Sequence, residues 1–346
     1  MLADIFLRRY KDNQLWPTFT NSEQTLLVQV FRIFSEQICP YKAGGEDPNN
    51  ALWRNVQSRL SMELGRVSLS PLTYNYIGEW NGKPHHYYGT WTINLVCQTW
   101  FLETFDGSLP ADQFMKERIG FIELGFRLRE SQINIENVNL PAAMKAADAS
   151  VQFRRSSIRL PGRSSDYVKE HNAAINKNFK NGVEELNTRF RQADCNLNYH
   201  NGFIQVAQDS VVESQIETPF WNLVSGIKWK NVDTDMKEAF DRRDSGARDP
   251  ALYAVHALES AIKIISDDNG WTHGKEKGAH NFIDNLTSNS FIADWEASAL
   301  KHVFTAVRNP LGHGPGTAVM PTLSKQQTDW TIEACLSWIK SLLRRS

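Results

Sequence analysis

Residues 300–316, LKHVFTAVRNPLGHGPG, decide the fold of the C-terminal half of the chain. Their first eight residues carry an apolar stripe at helical spacing, formed by Leu300, Val303, Phe304 and Val307. Two prolines and three glycines follow between positions 310 and 316, and both residue types disfavour a regular helix. The stretch therefore predicts a helix that ends at Arg308–Asn309, followed by a sharp turn with Arg308 and His313 on either side.

Helical apolar spacing continues on both sides of this stretch, from Pro219 almost to the last residue. It falls into five pieces, at 228–243, 250–266, 281–288, 291–309 and 325–344. Short polar turns join the pieces, as is typical of a helical bundle. We therefore place a domain boundary near residue 218, with an N-terminal domain of residues 1–217 and a C-terminal domain of residues 218–346.

The N-terminal part is also predicted to be mostly helical. A capped helix follows Thr20 and stops before Pro40, and further helical pieces lie at 51–64, 91–105, 111–129, 141–150 and 165–191. Asn201-Gly202 lies between two short alternating segments, which is a strong hairpin signal. The aromatic segment 68–90 is predicted to be a loop that carries a short hairpin at Asn81-Gly82. The fold class is therefore mainly α, with a small β-hairpin in the N-terminal domain.

Composition excludes several classes of protein. The chain has 346 residues, of which 41% are hydrophobic and 22% charged, and this balance is typical of a folded chain with two domains. A formal net charge of -1 means that an anionic partner must meet a local basic patch. No apolar run approaches the roughly 20 residues of a membrane span, and no signal peptide is recognised. The four separated cysteines predict buried thiols, so we expect a cytoplasmic protein with no membrane contact.

The segment RNPLGH, Arg308–His313, matches the RxxxxH signature of the HEPN superfamily, whose active members are metal-independent ribonucleases. With the preceding helix ALYAVHALESAIKII (251–265), it resembles the C-terminal HEPN domain of bacterial abortive-infection proteins. The segments ADIFLRRY (3–10) and YHNGFIQV (199–206) resemble the N-terminal domain that often accompanies it. Pro310 is a departure, because it stiffens a turn where other members carry lysine.

The resemblance implies a function and partners. It implies an endoribonuclease that acts in bacterial anti-phage defence or as a toxin and leaves a 2′,3′-cyclic phosphate. It also implies a homodimer, formed through the C-terminal domain, with two RxxxxH turns facing one cleft. The partners would be RNA, such as tRNA or mRNA, and an antitoxin or a phage-derived trigger. No cofactor and no metal would be needed.

The residues of the turn suit this chemistry. Cleavage of RNA without metal requires a base for the ribose 2′-hydroxyl, an acid for the leaving 5′-oxygen, and a positive group for the phosphorane. A histidine such as His313 can transfer protons near neutral pH, and the planar fork of Arg308 matches two phosphate oxygens. Asn309 could orient the phosphate or the imidazole. Backbone N–H groups near Gly314 could bind phosphate. Arg308 could instead only cap helix carbonyls.

The helix at 250–266 supplies a second set of residues. His256, Glu259 and Lys263 share one face, away from an inner apolar stripe. Glu259 and Lys263 could form an exposed i,i+4 ion pair of a few tenths of a kcal/mol. The resemblance instead implies that Glu259 faces the RxxxxH turn and acts on the arginine or the histidine. We assign Glu259 to the catalytic set, Lys263 to RNA binding and His256 to a structural role.

A basic segment between residues 151 and 165, VQFRRSSIRLPGRSS, is predicted to be an exposed connection. Its arginines, Arg154 and Arg155 among them, either bind an RNA backbone or form an ordinary solvated loop. His85 and His86 are not predicted to hold a metal, because adjacent side chains on an extended segment point apart.

Two alternatives remain open. The first is a catalytically inactive HEPN module that serves as an RNA-binding or dimerisation scaffold. The second is a nucleotide-binding or nucleotide-modifying role, although the sequence has no phosphate-binding glycine loop.

Overall fold

The computed structural model of the chain describes residues 5–41, 48–155, 164–206, 212–312 and 322–346. These residues are mainly helical, and their strands form two antiparallel two-stranded sheets, which confirms the predicted fold class. The chain divides into two compact units. The N-terminal unit comprises Ile5–Arg8 and Gln14–Ile204, and the C-terminal unit includes Arg9–Asn13 and Gln205–Ser346.

Helices form most of the N-terminal unit. They are α1 (Phe6–Arg9), α2 (Asn21–Arg32, continued by a π-helix at Ile33–Ile38), α3 (Asn50–Glu63), α4 (Ile93–Phe101), α5 (Ala111–Arg155) and α6 (Ser165–Gln192). Thr20 caps α2 as predicted, since its hydroxyl accepts from the N–H of Ser22. Aromatic rings from four helices form the centre of the core, with Phe34 4.9 Å from Trp53 and 5.4 Å from Phe121 between ring centroids.

The second half of α5 differs from the prediction. Segments 111–129 and 141–150 were expected to be separate helices, and 151–165 an exposed connection, but α5 runs unbroken to Arg155. It packs antiparallel to α6, with Phe126 beside Phe179 and Asn137 bonded to Asn172 and Asn176. Pro141 lies inside the helix, where packing against α6 outweighs its helix-breaking effect.

Both predicted hairpins are present. β1 (Thr73–Trp80) pairs with β2 (Lys83–Thr90), and β3 (Leu197–His200) with β4 (Phe203–Val206). Each turn is an Asn-Gly pair with positive φ at both positions, 50° and 74° in the first turn, 43° and 89° in the second. This is the geometry that Asn-Gly favours in a two-residue hairpin. The first hairpin has a full eight-residue register, so segment 68–90 is more regular than the predicted loop.

The helices of the C-terminal unit are α7 (Thr218–Leu223), α8 (Lys230–Ser245), α9 (Pro250–Asp268), α10 (Ala279–Ser288), α11 (Asp294–Val303), α12 (Asn309–Gly312) and α13 (Lys325–Leu343). Gly246, at φ 67°, ends α8, and Pro250 occupies the first turn of α9, where a proline is well tolerated. The central helix is α9, which packs against α8, α10 and α13. Its predicted inner stripe is buried at Val255, Leu258, Ile262 and Ile265.

The helix before RNPLGH continues further than predicted. A π-helix (Phe304–Arg308) follows α11, and α12 continues it to Gly312, so Arg308 lies within a helix and not at its end. The N–H of Asn309 bonds to the carbonyl of Phe304, five residues back. This wider turn suits Pro310, which has no N–H to donate and in a regular α-helix would clash with the carbonyl of Ala306. The prediction that the helix ends at Arg308–Asn309 was therefore wrong.

Candidate functional site

A buried carboxylate on α9 lies at the centre of the candidate site. Glu259 is 7% exposed, although its helix position also allowed an exposed ion pair. Its Oε1 lies 2.8 Å from the Nζ of Lys263, and its Oε2 lies 3.4 Å from the Nε of Arg308. Each carboxylate oxygen thus faces a different cation, and this arrangement can offset the cost of burying the charge.

Arg308 is the cation that comes from the facing segment. Its side chain is 34% exposed, so the guanidinium is partly open to solvent. The buried Nε has no acceptor at hydrogen-bond geometry among the described residues, and its contact with Glu259 is that of an ion pair. Nor does any described residue accept a hydrogen bond from the two terminal nitrogens. Glu259 therefore holds Arg308 at one edge while the two-pronged end of the guanidinium can bind an anion.

Three further residues surround this pair. The Nζ of Lys263 lies 5.7 Å from the ring centroid of Phe282 on α10, and the lysine side chain is 43% exposed. Asn309 is partly buried, and its side-chain amide makes no hydrogen bond to a described residue. His256 is partly buried one turn before Glu259. Burial lowers the pKa of His256, Arg308 and Lys263 lower it further, and Glu259 opposes them.

The structure thus brings together Arg308, Glu259 and Lys263 from the predicted site, and Asn309 follows Arg308 in the same helical segment. His313 and Gly314 lie outside the described residues. For Arg154 and Arg155 the structure describes only the backbone, in the last turn of α5 and not in the predicted connection. The catalytic and RNA-binding roles of these residues remain predictions.

A cleft of about 410 Å³ lies beside the same segment, at the end where α9 begins. Leu311 of α12 and Lys325 of α13 line it, together with Arg242 and Arg248. The start of α9 at Pro250 is nine residues from Glu259, or about 13 Å along the helix axis. The cleft is therefore separate from the Arg308–Glu259 pair, although both border the chain between Arg308 and Gly312.

The described part of the chain contains no group of three or more His, Cys, Asp or Glu side chains that could hold a metal ion. His85 and His86 lie on consecutive positions of β2 and so on opposite faces of the hairpin, as their spacing predicts. His86 bonds to the side chain of Asn75 on the neighbouring strand.

The family model described as AbiJ N-terminal domain 4 matches residues 4–222. The chain belongs to the AbiJ N-terminal domain 4 family. The match covers well over half of the sequence and supports an abortive-infection-type protein. It includes YHNGFIQV (199–206) and all but the first residue of ADIFLRRY (3–10), the segments that resemble the N-terminal domain of abortive-infection proteins. The helix α9 and the segment RNPLGH lie outside it, so HEPN membership of the C-terminal unit of this AbiJ-family chain remains a prediction.

No curated protein and no solved structure matches this member of the AbiJ N-terminal domain 4 family. Among the residues that the structure describes, no helix is long and apolar enough to cross a bilayer.

Proposed function

We propose that this abortive-infection-type protein is a metal-independent endoribonuclease that acts in anti-phage defence or as a toxin. The observation that carries the proposal is the ion pair between Arg308 and the buried Glu259, in the part of the chain that resembles a HEPN domain. The ion pair holds the permanently charged guanidinium of Arg308 in place. The two terminal nitrogens of that guanidinium make no hydrogen bond to a described residue. Such a group suits the phosphate of a nucleic acid.

The proposed reaction is a transesterification within the RNA. The ribose 2′-oxygen attacks the adjacent phosphorus and loses its proton to a base, while the 5′-oxygen leaves with a proton from an acid. Arg308 offsets the charge that develops on the non-bridging oxygens. His313 supplies one of the proton transfers, and Asn309, four residues before it, orients the phosphate or the imidazole. The products are a 2′,3′-cyclic phosphate and a 5′-hydroxyl.

Glu259 and Lys263 have supporting roles in the proposal. Glu259 fixes the Nε edge of Arg308, so that the two-pronged end points to the substrate. Lys263, with its partly exposed ammonium, adds positive charge beside Arg308 for the RNA backbone. Gly314, Arg154 and Arg155 would extend this phosphate contact. We also propose a cytoplasmic homodimer, formed through the C-terminal domain, that a phage-derived trigger activates or an antitoxin restrains.

Two substitutions test the assignment. Arg308→Ala and His313→Ala should each lower RNA cleavage by about 10²–10³-fold and remove toxicity, because each deletes a group that acts in the transition state. Glu296→Gln is the matched control, because Glu296 is a buried carboxylate paired with Arg345 at the opposite end of α11. It should leave cleavage unchanged. The assignment is wrong if purified His313→Ala cuts RNA at the wild-type rate.

The alternative is a catalytically inactive module that binds RNA or forms a dimer. Glu259 pairs with both Lys263 and Arg308, and such an ion-pair network can serve stability alone. This observation favours the inactive module. RNA binding without a cleavage product, across several RNAs, would support this alternative.

A further inference from the structure

His256 lies on the face of α9 that the chain from Arg308 to Gly312 covers. Arg308 contacts Glu259 at one end of this segment. At the other end, a Cβ placed on Gly312 would lie 3.8 Å from the Cδ1 of Leu252. The segment therefore runs antiparallel to α9. His256 is four residues after Leu252 and three before Glu259, so it lies between the two contacts and on the same face.

Both an aromatic ring and charged groups lie near His256. Its ring is partly exposed and packs edge-on against Tyr253, with 6.0 Å between ring centroids. Three charged groups act on it: Glu259 and Lys263 from its own helix, and Arg308 from the facing segment. The guanidinium of Arg242 on α8 lies over the ring of Tyr253, 4.2 Å from the ring centroid.

These surroundings favour a neutral imidazole. Burial is the largest effect and lowers the pKa of His256, and Arg308 and Lys263 act in the same direction against Glu259. A lowered pKa means that, at a given pH, a larger fraction of the ring is unprotonated than in an ordinary histidine. At neutral pH the ring can therefore accept a proton, as a general base must.

We infer that His256 is the proton acceptor of this site. The inference rests on the proposed ribonuclease function. The bond from the 2′-oxygen to phosphorus forms as the 2′-hydroxyl proton passes to His256. The bond from phosphorus to the 5′-oxygen breaks as that oxygen takes a proton from the acid that the proposed function requires. Exchange with water then deprotonates His256 and reprotonates that acid for the next turnover.

The test compares His256→Gln with wild type over pH 5 to 9, using a labelled single-stranded RNA. Glutamine keeps a polar side chain but cannot titrate. We expect cleavage to fall by about 10²–10⁴-fold and the decline of kcat/KM at low pH to disappear, because that decline reports protonation of the base. His302→Gln is the control, because His302 is an exposed histidine of the same unit. It should keep both the rate and the pH profile.

The outcomes separate the inference from the proposed function. If wild type cleaves RNA and His256→Gln keeps both rate and pH profile, the inference is overturned while the ribonuclease assignment stands. If wild type does not cleave, both are overturned.

A second measurement tests the inference even if His256→Gln fails to fold. The ring proton of His256 in the wild-type protein, followed by NMR, should titrate below the ordinary value of about 6.5. It should titrate lower still in Glu259→Gln, since Glu259 favours the charged ring. A midpoint that does not change in Glu259→Gln overturns the inference, because the ring then does not sense the charges of the site.

Discussion

At the scale of single residues, Glu259 shows what a helical sequence pattern can predict about a site and what it cannot. Its spacing placed it on one face with His256 and Lys263, and the family resemblance directed that face towards Arg308. The 3.4 Å contact agrees with this expectation. Its burial was not predictable from α9 alone, because the facing segment that covers it comes from some 50 residues later in the chain.

Glu259→Gln should weaken both stability and cleavage. The substitution removes the charge that pairs with Arg308 and Lys263 and leaves two cations beside a neutral amide. Both cations are at least a third exposed, so water compensates in part, and we expect a loss of about 1–2 kcal/mol in the free energy of unfolding. Urea unfolding measures it. Glu296→Gln should cost a similar amount yet keep full cleavage, and equal loss of cleavage in both variants would contradict a role for Glu259 at the site.

Arg308→Lys tests whether cleavage needs the planar guanidinium of Arg308 or only its positive charge. Lysine keeps the positive charge but has neither the Nε that faces Glu259 nor a planar fork for two phosphate oxygens. We expect RNA binding to change little and cleavage to fall about 10²-fold, measured by fluorescence anisotropy and by a gel assay respectively. Wild-type cleavage by this variant would mean that only the charge matters.

At the scale of elements, the two prolines within helices show why boundaries were harder to predict than helices. Pro310 was taken as the signal for a helix end, and a separate helical piece was predicted to begin at Pro141, yet each proline lies inside a continuous helical segment. The packing of α5 on α6, and of the π-helix Phe304–Arg308 on α9, keeps these segments helical. Such packing involves residues far away in sequence, whereas the Asn-Gly hairpins depend on local geometry and were predictable from two residues each.

The π-helix before Pro310 should lower the free-energy cost of a proline at this position. Proline inside a regular helix costs about 3 kcal/mol relative to alanine, but here the wider turn removes the clash with the carbonyl of Ala306. We expect Pro310→Ala to change the free energy of unfolding by less than about 1 kcal/mol. Pro141→Ala, in a regular part of α5, should stabilise by up to about 3 kcal/mol. A stabilisation of that size from Pro310→Ala would argue against this explanation of the π-helix.

An asparagine cluster should fix the pairing of α5 with α6. The side chains of Asn137 and Asn176 bond to each other in both directions, at 3.0 and 2.9 Å, and Asn172 donates to Asn137 at 2.9 Å. Asn137→Ala leaves the other two amides short of partners, so we expect a loss of about 1–2 kcal/mol in chemical unfolding. Asn134→Ala, at an exposed position one turn earlier, should change stability by less than about 0.5 kcal/mol.

At the scale of the whole molecule, the C-terminal unit draws on residues from the start of the chain. The predicted boundary near residue 218 follows the sequence pattern, whereas the compact units divide between Ile204 and Gln205 and assign Arg9–Asn13 to the C-terminal unit. Arg9 pairs with Asp241 at 3.3 Å, and Gln205 donates to the same carboxylate at 2.9 Å. Contacts between segments so distant in sequence leave no local signal, so they could not be predicted.

Tyr10 gives a test of this arrangement. Its buried hydroxyl donates to Asp244 at 3.1 Å and accepts from the N–H of Val206 at 3.1 Å. Tyr10→Phe should lower the free energy of unfolding by about 1–2 kcal/mol, because a buried donor and acceptor lose a partner. Tyr253→Phe is the control, since that hydroxyl makes no hydrogen bond to a described residue. Equal effects of the two changes would contradict a stabilising role for Tyr10.

The central claim is that Arg308 and His313 break RNA without a metal ion. The most direct measurement is analysis of the RNA ends left by the purified full chain in EDTA. We predict fragments that end in a 2′,3′-cyclic phosphate and a 5′-hydroxyl, formed about 10²–10³-fold more slowly by Arg308→Ala and by His313→Ala. Cleavage that requires magnesium and leaves a 3′-hydroxyl and a 5′-phosphate would contradict the account.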